Sequence, residues 1–288
     1  MRPIGYKGIE EYTSPMDPNP SFRFESGLCV LGNGPHDEDS TLLPRLARVV
    51  FNRPEDTADI VVYNGRVLSR TNPFIVHASN NDLCHFLESG LKREQADLRS
   101  ALGAPASSGL TFVRLTCSLT PELWVYRMPL APSLARPIGL GNRKPLACAY
   151  HNWLGERRLA FELIRSASSD CQIHWKSLYF PSPEPSSVRH GDPWETLQAA
   201  ASSRSIELWD QASRYDALHL AAHMDHARMQ QIEHLFHLVV GENETPNWWL
   251  YDQQASAAIE RLLKKLMWCQ QQRYLHLFSA MANETAVG

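Results

Sequence analysis

Residues 148–174 read CAYHNWLGERRLAFELIRSASSDCQIH, and a Cys-x-x-His pair stands at either end, Cys148/His151 and Cys171/His174. Zinc takes four soft or borderline ligands in a tetrahedron, and a Cys-x-x-His turn can present two of them on one side of the metal. Two such pairs nineteen residues apart have the arithmetic of a zinc ribbon, with His in place of the second Cys of the first pair. The competing reading makes Cys148 and Cys171 small buried hydrophobes and both histidines ordinary surface residues. The choice bears on the architecture, because a metal-stapled segment here divides the chain into small modules.

The wider composition bounds the problem. The chain has 288 residues, 43% hydrophobic and 20% charged, as globular proteins do. No stretch approaches the roughly 18 apolar residues that cross a bilayer, and MRPIGYKGIEEYTSPMDPNP (1–20) has no apolar h-region. A cytoplasmic protein is expected. Its six cysteines (29, 84, 117, 148, 171 and 269) are then reduced thiols or metal ligands rather than a disulfide framework. The net charge of −3 supplies no global field toward nucleic acid, although the cations are 22 Arg against 6 Lys.

Four regions follow from the pattern. Residues 1–35 read as an irregular arm with one strand in FRFESGLCVLG. Residues 36–130 read as a helix-turn-helix-like domain. In it DEDSTLLPRLARVVF (37–51) predicts a helix, ADIVVYNGRVL a hairpin on an Asn-Gly turn, and NNDLCHFLESGLKREQADLRSALG (80–103) two short helices broken at Gly90. LTFVRLTCSLTPELWVYRMPL (110–130) reads as extended. Residues 131–182 hold the zinc-binding module, and 183–288 a helical domain with one long helix at about 204–240 and another at about 248–281. The expected fold class is mainly α with small β elements: a helix-turn-helix-like region, a small zinc-ribbon-like module and a C-terminal helical hairpin or bundle.

Within the opening stretch, RRLAF (157–161) followed by the terminal Cys-x-x-His resembles the zinc-binding region of the TniQ/TnsD family of transposition proteins. DEDSTLLPRLARVV resembles the N-terminal helix of that family, and NNDLCHFLESGLKREQADLRSALGA the helix pair that follows it. ELWVYRMPL and PIGLG stand where the family has a Trp/Pro/Leu run. The chain departs from the pattern at His151, where the family usually has Cys, at Pro44 in place of a serine, and in lacking a second Cys-x-x-Cys.

The resemblance implies a non-catalytic DNA-transposition adaptor of a mobile element. Such a protein binds target DNA or a CRISPR-type guide complex and recruits an AAA+ ATPase; a homodimer is compatible with this role. One structural zinc would sit on Cys148, His151, Cys171 and His174, with no open position for catalysis. Arg93, Arg99, Arg136, Arg143, Lys144, Arg157 and Arg158 would be the nucleic-acid contacts, against a plain reading as a solvated basic face.

Two further signals compete. HLAAHMDHARMQQIEHLFH (219–237) sets His219, His223, His226, Glu233, His234 and His237 on one polar helix face, opposite Leu218, Met224 and Ile232. That face suits a partner or a second metal, or is simply solvated. FIVHASNNDLCHFLESGLK weakly resembles the strand-helix of ADP-ribosyltransferase-like folds, which would make His77 a nicotinamide-ribose contact in an NAD-dependent enzyme. No Walker loop, G-x-S-x-G or H-E-x-x-H occurs.

Overall fold

The computed structural model describes residues 22–34, 46–52, 58–64, 73–134, 151–167, 171–186, 188, 190–233 and 248–285, the last helix with side chains to 276. Six strands form one sheet in the order β4-β3-β2-β1-β5-β6. They are β1 (Leu28–Leu31), β2 (Ala47–Phe51), β3 (Ile60–Asn64), β4 (Phe74–Ala78), β5 (Glu122–Tyr126) and β6 (Gln172–His174). All neighbours run parallel except β3 and β4. Short runs such as LCVL, buried at every position, are what a parallel sheet with both faces covered requires.

Chain order gives the sheet its functional geometry. From the central β1 the chain steps outward to β2, β3 and β4. It then crosses back over one face through α1 (Asn81–Leu102) and α2 (Ser108–Thr116) to reach β5 on the other side of β1. The helix α3 (Trp153–Ser166) then connects β5 to β6. Leu28, Val30, Val49, Ile60, Val76 and Leu123 point to the face shared with Leu87, Leu91, Leu98, Phe112 and Phe161 of these helices. Alternate residues Cys29, Leu31, Val50, Val61 and Tyr126 form a smaller cluster on the opposite face, as the two-residue period of a strand dictates.

The remaining helices are α4 (Pro193–Ser202), α5 (Ile206–Ser213), α6 (Ala217–His223), α7 (His226–Glu233) and α8 (Gln253–Thr285). Their apolar sides meet around Trp209, Leu220, Leu262 and Trp268, in a cluster that also takes Leu134 and Leu154. The long helix α8 is tied to the α/β part by polar as well as apolar contacts. Gln270 Nε2 donates to the Leu154 carbonyl at 2.8 Å, Gln271 pairs with both backbone groups of Phe180, and Tyr274 stacks on Phe161 at 5.1 Å.

The architecture is therefore α/β, which corrects the mainly α expectation. ARVVF (47–51) is a strand, not the end of a helix: a short continuous apolar run fits either state, and pairing with β1 and β3 decides it. Residues 35–45, the rest of that expected helix, lie outside the described residues. The antiparallel pair at 60–78 exists, but Ile60–Asn64 pairs with Phe74–Ala78, so the connection is longer than an Asn-Gly turn. The helix-turn-helix is one 22-residue helix. Gly90 lies inside it because a Cβ there would come within 2.8 Å of Leu115, and the true C-cap is Gly103 at φ 67°.

SGLTFVRLT, expected to be extended, forms α2 because Ser107 caps it and every residue except Arg114 is buried. A helix buried all round has no amphipathic signature. Among the described residues of 151–174 no zinc ribbon is seen; α3 and β6 belong to the main α/β body. In place of the expected long helix at 204–240, the described residues to 233 form three helices, restarted where Asp216 caps α6 and Asp225 accepts from Arg228 N. They pack with α8 on the same body, not as a separate bundle.

Candidate functional site

In an open parallel sheet, ligands bind outside the carboxyl ends of the strands where the chain reverses its direction of travel. Here that point lies between β1 and β5, and a cleft of about 580 Å³ opens there. The loop after β1 (Gly32, Asn33, Gly34), Asn52 after β2, Asn64 at the end of β3 and Arg127–Ala131 after β5 all line it. Ser107, Ser108 and Gly109 at the start of α2 close one side, with His151 and Trp153 at the start of α3.

The backbone is drawn tight around this cleft. Gly32 N and Gly34 N donate to the carbonyls of Tyr126 and Arg127 at 2.9 and 2.8 Å. A Cβ at Gly32 or Gly34 would lie 2.4 or 2.6 Å from the Arg127 oxygen, so the two loops approach only because both positions lack one. Asn52, Arg127 and Leu130 adopt positive φ of 58°, 54° and 47°, and all three line the cleft. Non-glycine residues in that region carry strain that clusters at functional sites.

The polar lining is ordered by partners behind it. Asn52 Oδ1 accepts from Asn64 N at 2.8 Å, and Asn64 Nδ2 donates to Ser108 Oγ. Arg127 is 5% exposed, and its Nε is buried without a hydrogen-bond partner among the described residues.

His151 is the most chemically committed group. Its Nδ1 lies 3.0 Å from the Pro105 carbonyl and 3.4 Å from Glu156 Oε1. A carbonyl only accepts, so Nδ1 carries the proton and Nε2 keeps the lone pair when the ring is neutral. Glu156 is fully buried and also accepts from Ser107 N at 2.8 Å and Ser107 Oγ at 2.5 Å. One carboxylate therefore orients the imidazole and anchors the cap of α2. Burial of His151 disfavours the imidazolium, but the hydrogen bond and charge of Glu156, with the Pro105 carbonyl, outweigh it and raise the pKa above 6.5. The Pro105 carbonyl and Glu156 thus hold the ring in one tautomer.

The other expected site residues are dispersed. Cys148 lies outside the described residues. Cys171, at the start of β6, is 4% exposed, and burial pushes its thiol up to about 11. His174 stacks on Trp124 at 3.9 Å and contacts Glu122 at 3.2 Å. Neither lines the cleft, and among the described residues no group of three or more His, Cys, Asp or Glu is placed to hold a metal.

Arg93 and Arg99 are exposed on α1, and Arg136, Arg143 and Lys144 lie outside the described residues. Arg157 is wholly buried, its guanidinium donating to the carbonyls of Pro129 and Leu178 at 2.8 and 2.7 Å; burial lowers its pKa to about 9. Arg158 is bound to Glu233 at 2.9 Å, tying α3 to α7. On the histidine face, His219 bonds the Gly191 carbonyl, His223 bonds the His219 carbonyl and His226 contacts Gln230. His234 and His237 lie outside the described residues, and Leu218, expected to be apolar and inward, is 67% exposed. His77 is exposed on β4 against Tyr63, away from the cleft.

Sequence reasoning singled out His151 but passed over Gly32, Asn33, Gly34, Ser107, Ser108 and Arg127. The signal available was Gly-x-Gly directly after the apolar run LCVL, the place where a loop must pass close to a ligand or another backbone. No family model, no curated protein and no solved structure matches this chain.

Proposed function

We propose that this chain is a transferase that moves a group from a nucleotide-activated donor, a nucleotide sugar in its simplest form, to a hydroxyl acceptor. The observation that carries this reading is the His151–Glu156 pair at the mouth of a switch-point cleft between β1 and β5. Such crevices are where parallel α/β sheets take nucleotides. The volume of about 580 Å³ lies in the range of small-molecule sites. Asn52 and Asn64 line the cleft, and amide side chains there suit a base edge or neighbouring hydroxyls.

In this mechanism the acceptor hydroxyl sits against His151 Nε2, which takes its proton as the oxygen bonds to the donor. Glu156 holds the ring in the tautomer that leaves Nε2 basic and stabilises the imidazolium that forms. The glycines let the β1 loop close against the Arg127 carbonyl, which fixes this wall of the cleft.

The test is incubation of the purified full-length protein with a panel of nucleotide sugars and alcohol acceptors, following nucleotide release. The expected result is turnover with at least one donor, lost by a factor of about 10²–10⁴ in His151→Ala while nucleotide binding survives. A protein that binds no nucleotide in any member of the panel overturns the reading.

A transposition-adaptor role with a structural zinc is a separate proposal that rests on the sequence resemblance alone, since its helix pair is a single helix and ARVVF a strand. Elemental analysis showing zinc lost from Cys148→Ser plus Cys171→Ser, with a salt-sensitive DNA shift, would favour it. Metal-free protein with no DNA binding would remove it.

A further inference from the structure

We infer that Trp153 is the platform that seats the acceptor in front of His151, and that it selects a hydroxyl borne on a rigid ring; this rests on the transferase reading of the same cleft. Trp153 lines the cleft beside His151, half-buried, with its ring centroid 4.8 Å from that of the imidazole. A hydroxyl bonded to a general base lies about 2.6–3.2 Å from the nitrogen. At that distance the carbon skeleton carrying the hydroxyl comes within reach of the indole. The other side of Trp153 packs on both large apolar clusters. Trp209 and Trp249, which pack in the helical cluster, are 2% exposed, whereas Trp153 keeps surface in the cleft.

The residue between base and indole fixes both. Asn152 is 1% exposed; its Oδ1 accepts from Gly155 N at 3.0 Å and its Nδ2 donates to the Leu102 carbonyl at 3.0 Å. With the middle side chain held inward, its two neighbours come out together at the cleft. A Cβ at Gly155 would lie 2.8 Å from Leu102 and 2.9 Å from Asn152, so the first turn of α3 is clamped onto the end of α1. The imidazole and the indole are therefore set relative to each other before any substrate arrives, which is the condition for orienting one reacting group against another.

The chemistry of the indole decides which hydroxyls it seats well. Its broad, rigid, apolar face carries a negative quadrupole and suits a flat partner with C–H groups on its face and hydroxyls on its rim. A ring reaches that contact with its torsions already fixed. An open-chain alcohol has to freeze several rotors to cover the same surface, and loses that much affinity. Sugar rings and phenols share this chemistry, a rigid ring with a hydroxyl at its edge. Trp153 thus acts on acceptor choice, while His151 takes the proton.

The experiment is saturation-transfer NMR on the full-length protein with methyl pyranosides, simple phenols and the open-chain hexitols sorbitol and mannitol as probes. Trp153→Leu, which keeps apolar bulk, and Trp153→Phe, which keeps a ring, are run beside the wild type, each checked for a cooperative melt. The expected result is contact with at least one ring class and none with the hexitols. Affinity for the ring should fall about tenfold in Trp153→Leu and less in Trp153→Phe. In turnover the Leu variant should raise the KM of the ring acceptor by the same factor with little change in kcat, the mark of lost binding rather than lost chemistry.

Contact from pyranosides alone names a sugar as the acceptor, and contact from phenols alone an aromatic alcohol. Ring probes that bind Trp153→Leu as well as the wild type overturn the platform, as do hexitols that bind as well as the rings, or no contact from any probe. Ring binding that depends on Trp153 in a protein that binds no nucleotide keeps the platform and overturns the transferase reading; nucleotide binding without ring binding does the reverse. If Trp153→Leu does not fold, wild-type protein labelled with 5-fluorotryptophan decides. Its Trp153 fluorine resonance, identified by its loss in Trp153→Phe, should shift with the ring probe and not with the hexitols, and a resonance that stays still overturns the proposal.

Discussion

Replacing Glu156 by Gln removes one charge from the buried pair while keeping its shape, and its consequences can be worked from the contacts. Glu156 accepts from Ser107 N at 2.8 Å, from Ser107 Oγ at 2.5 Å and from His151 Nδ1 at 3.4 Å, with no exposure to solvent. The amide oxygen can keep the Ser107 amide, and the serine hydroxyl can turn to accept from the new NH₂. Two charge-assisted bonds, each about 1.5–3 kcal/mol, thereby become neutral ones of about 0.5–1.5 kcal/mol. The expected loss is about 2–3 kcal/mol, or a fall in Tm of roughly 5–10 °C for a chain of this size.

His151 supplies the second signature. With the carboxylate gone only burial and the Pro105 carbonyl act on it, and burial wins, so its pKa falls below 6.5. In the wild type the raised pKa contributes stability that is complete below 6.5 and is lost as pH rises through the folded value. The stability gap between wild type and Glu156→Gln should therefore widen from pH 8.5 to pH 5.5. Urea melts at several pH values and the NMR titration of the His151 ring read both effects, and the acid limb of any transferase activity should move to lower pH in parallel. A ring that titrates at the same pH in both proteins, or a gap that narrows toward acid, refutes the reasoning.

Gly32→Ala puts a methyl 2.4 Å from a backbone oxygen that cannot swing away; a loss of about 2–4 kcal/mol is expected, read by denaturant melts, with nucleotide affinity lost as the cleft distorts. Gly90→Ala sets two effects against each other. Helix propensity favours Ala by about 1 kcal/mol, but the new Cβ meets both methyls of the buried Leu115 at 2.8 and 2.9 Å, and overpacking costs about 1–3 kcal/mol, so a net destabilisation of about 1 kcal/mol should appear. Arg157→Ala should cost about 3–5 kcal/mol, since it leaves the Pro129 and Leu178 carbonyls without their donor and opens a void. Circular dichroism melts would then show that any DNA-binding defect of that variant is loss of fold.

Much was legible in the sequence where the cause is local. The amphipathic pattern read near 248–281 is α8, whereas the caps Asn80, Ser107, Asn152, Asp192, Ser205 and Asp216, each bonding first-turn amides, are local signals that the expectations of an extended 110–130 and one helix over 204–240 passed over. FRFESGLCVLG contains the strand it announces. What failed were the short apolar runs. ARVVF and LTFVRLT are alike in composition, yet the first pairs between two parallel strands and the second winds into a helix, because burial on every side erases the period that would tell them apart. Gly90 reads as a stop in one dimension and is a contact with Leu115 in three.

The site divides along the same line. His151 stood out by residue type, and the Gly-x-Gly of 32–34 could have been read from its place after LCVL. Only the tertiary structure brings His151 to Pro105 and Glu156 to Ser107, sets Arg127 beside the start of α2, and sends the chain in opposite directions from β1 so that a crevice remains. Caps, turns and amphipathic faces are settled by a few neighbouring residues. Strand pairing, the serine that binds the buried Glu156 and the carbonyl that fixes the His151 tautomer involve residues far off in the chain, Ser107 being 49 positions from Glu156 and Pro105 46 from His151, whose approach no local pattern encodes.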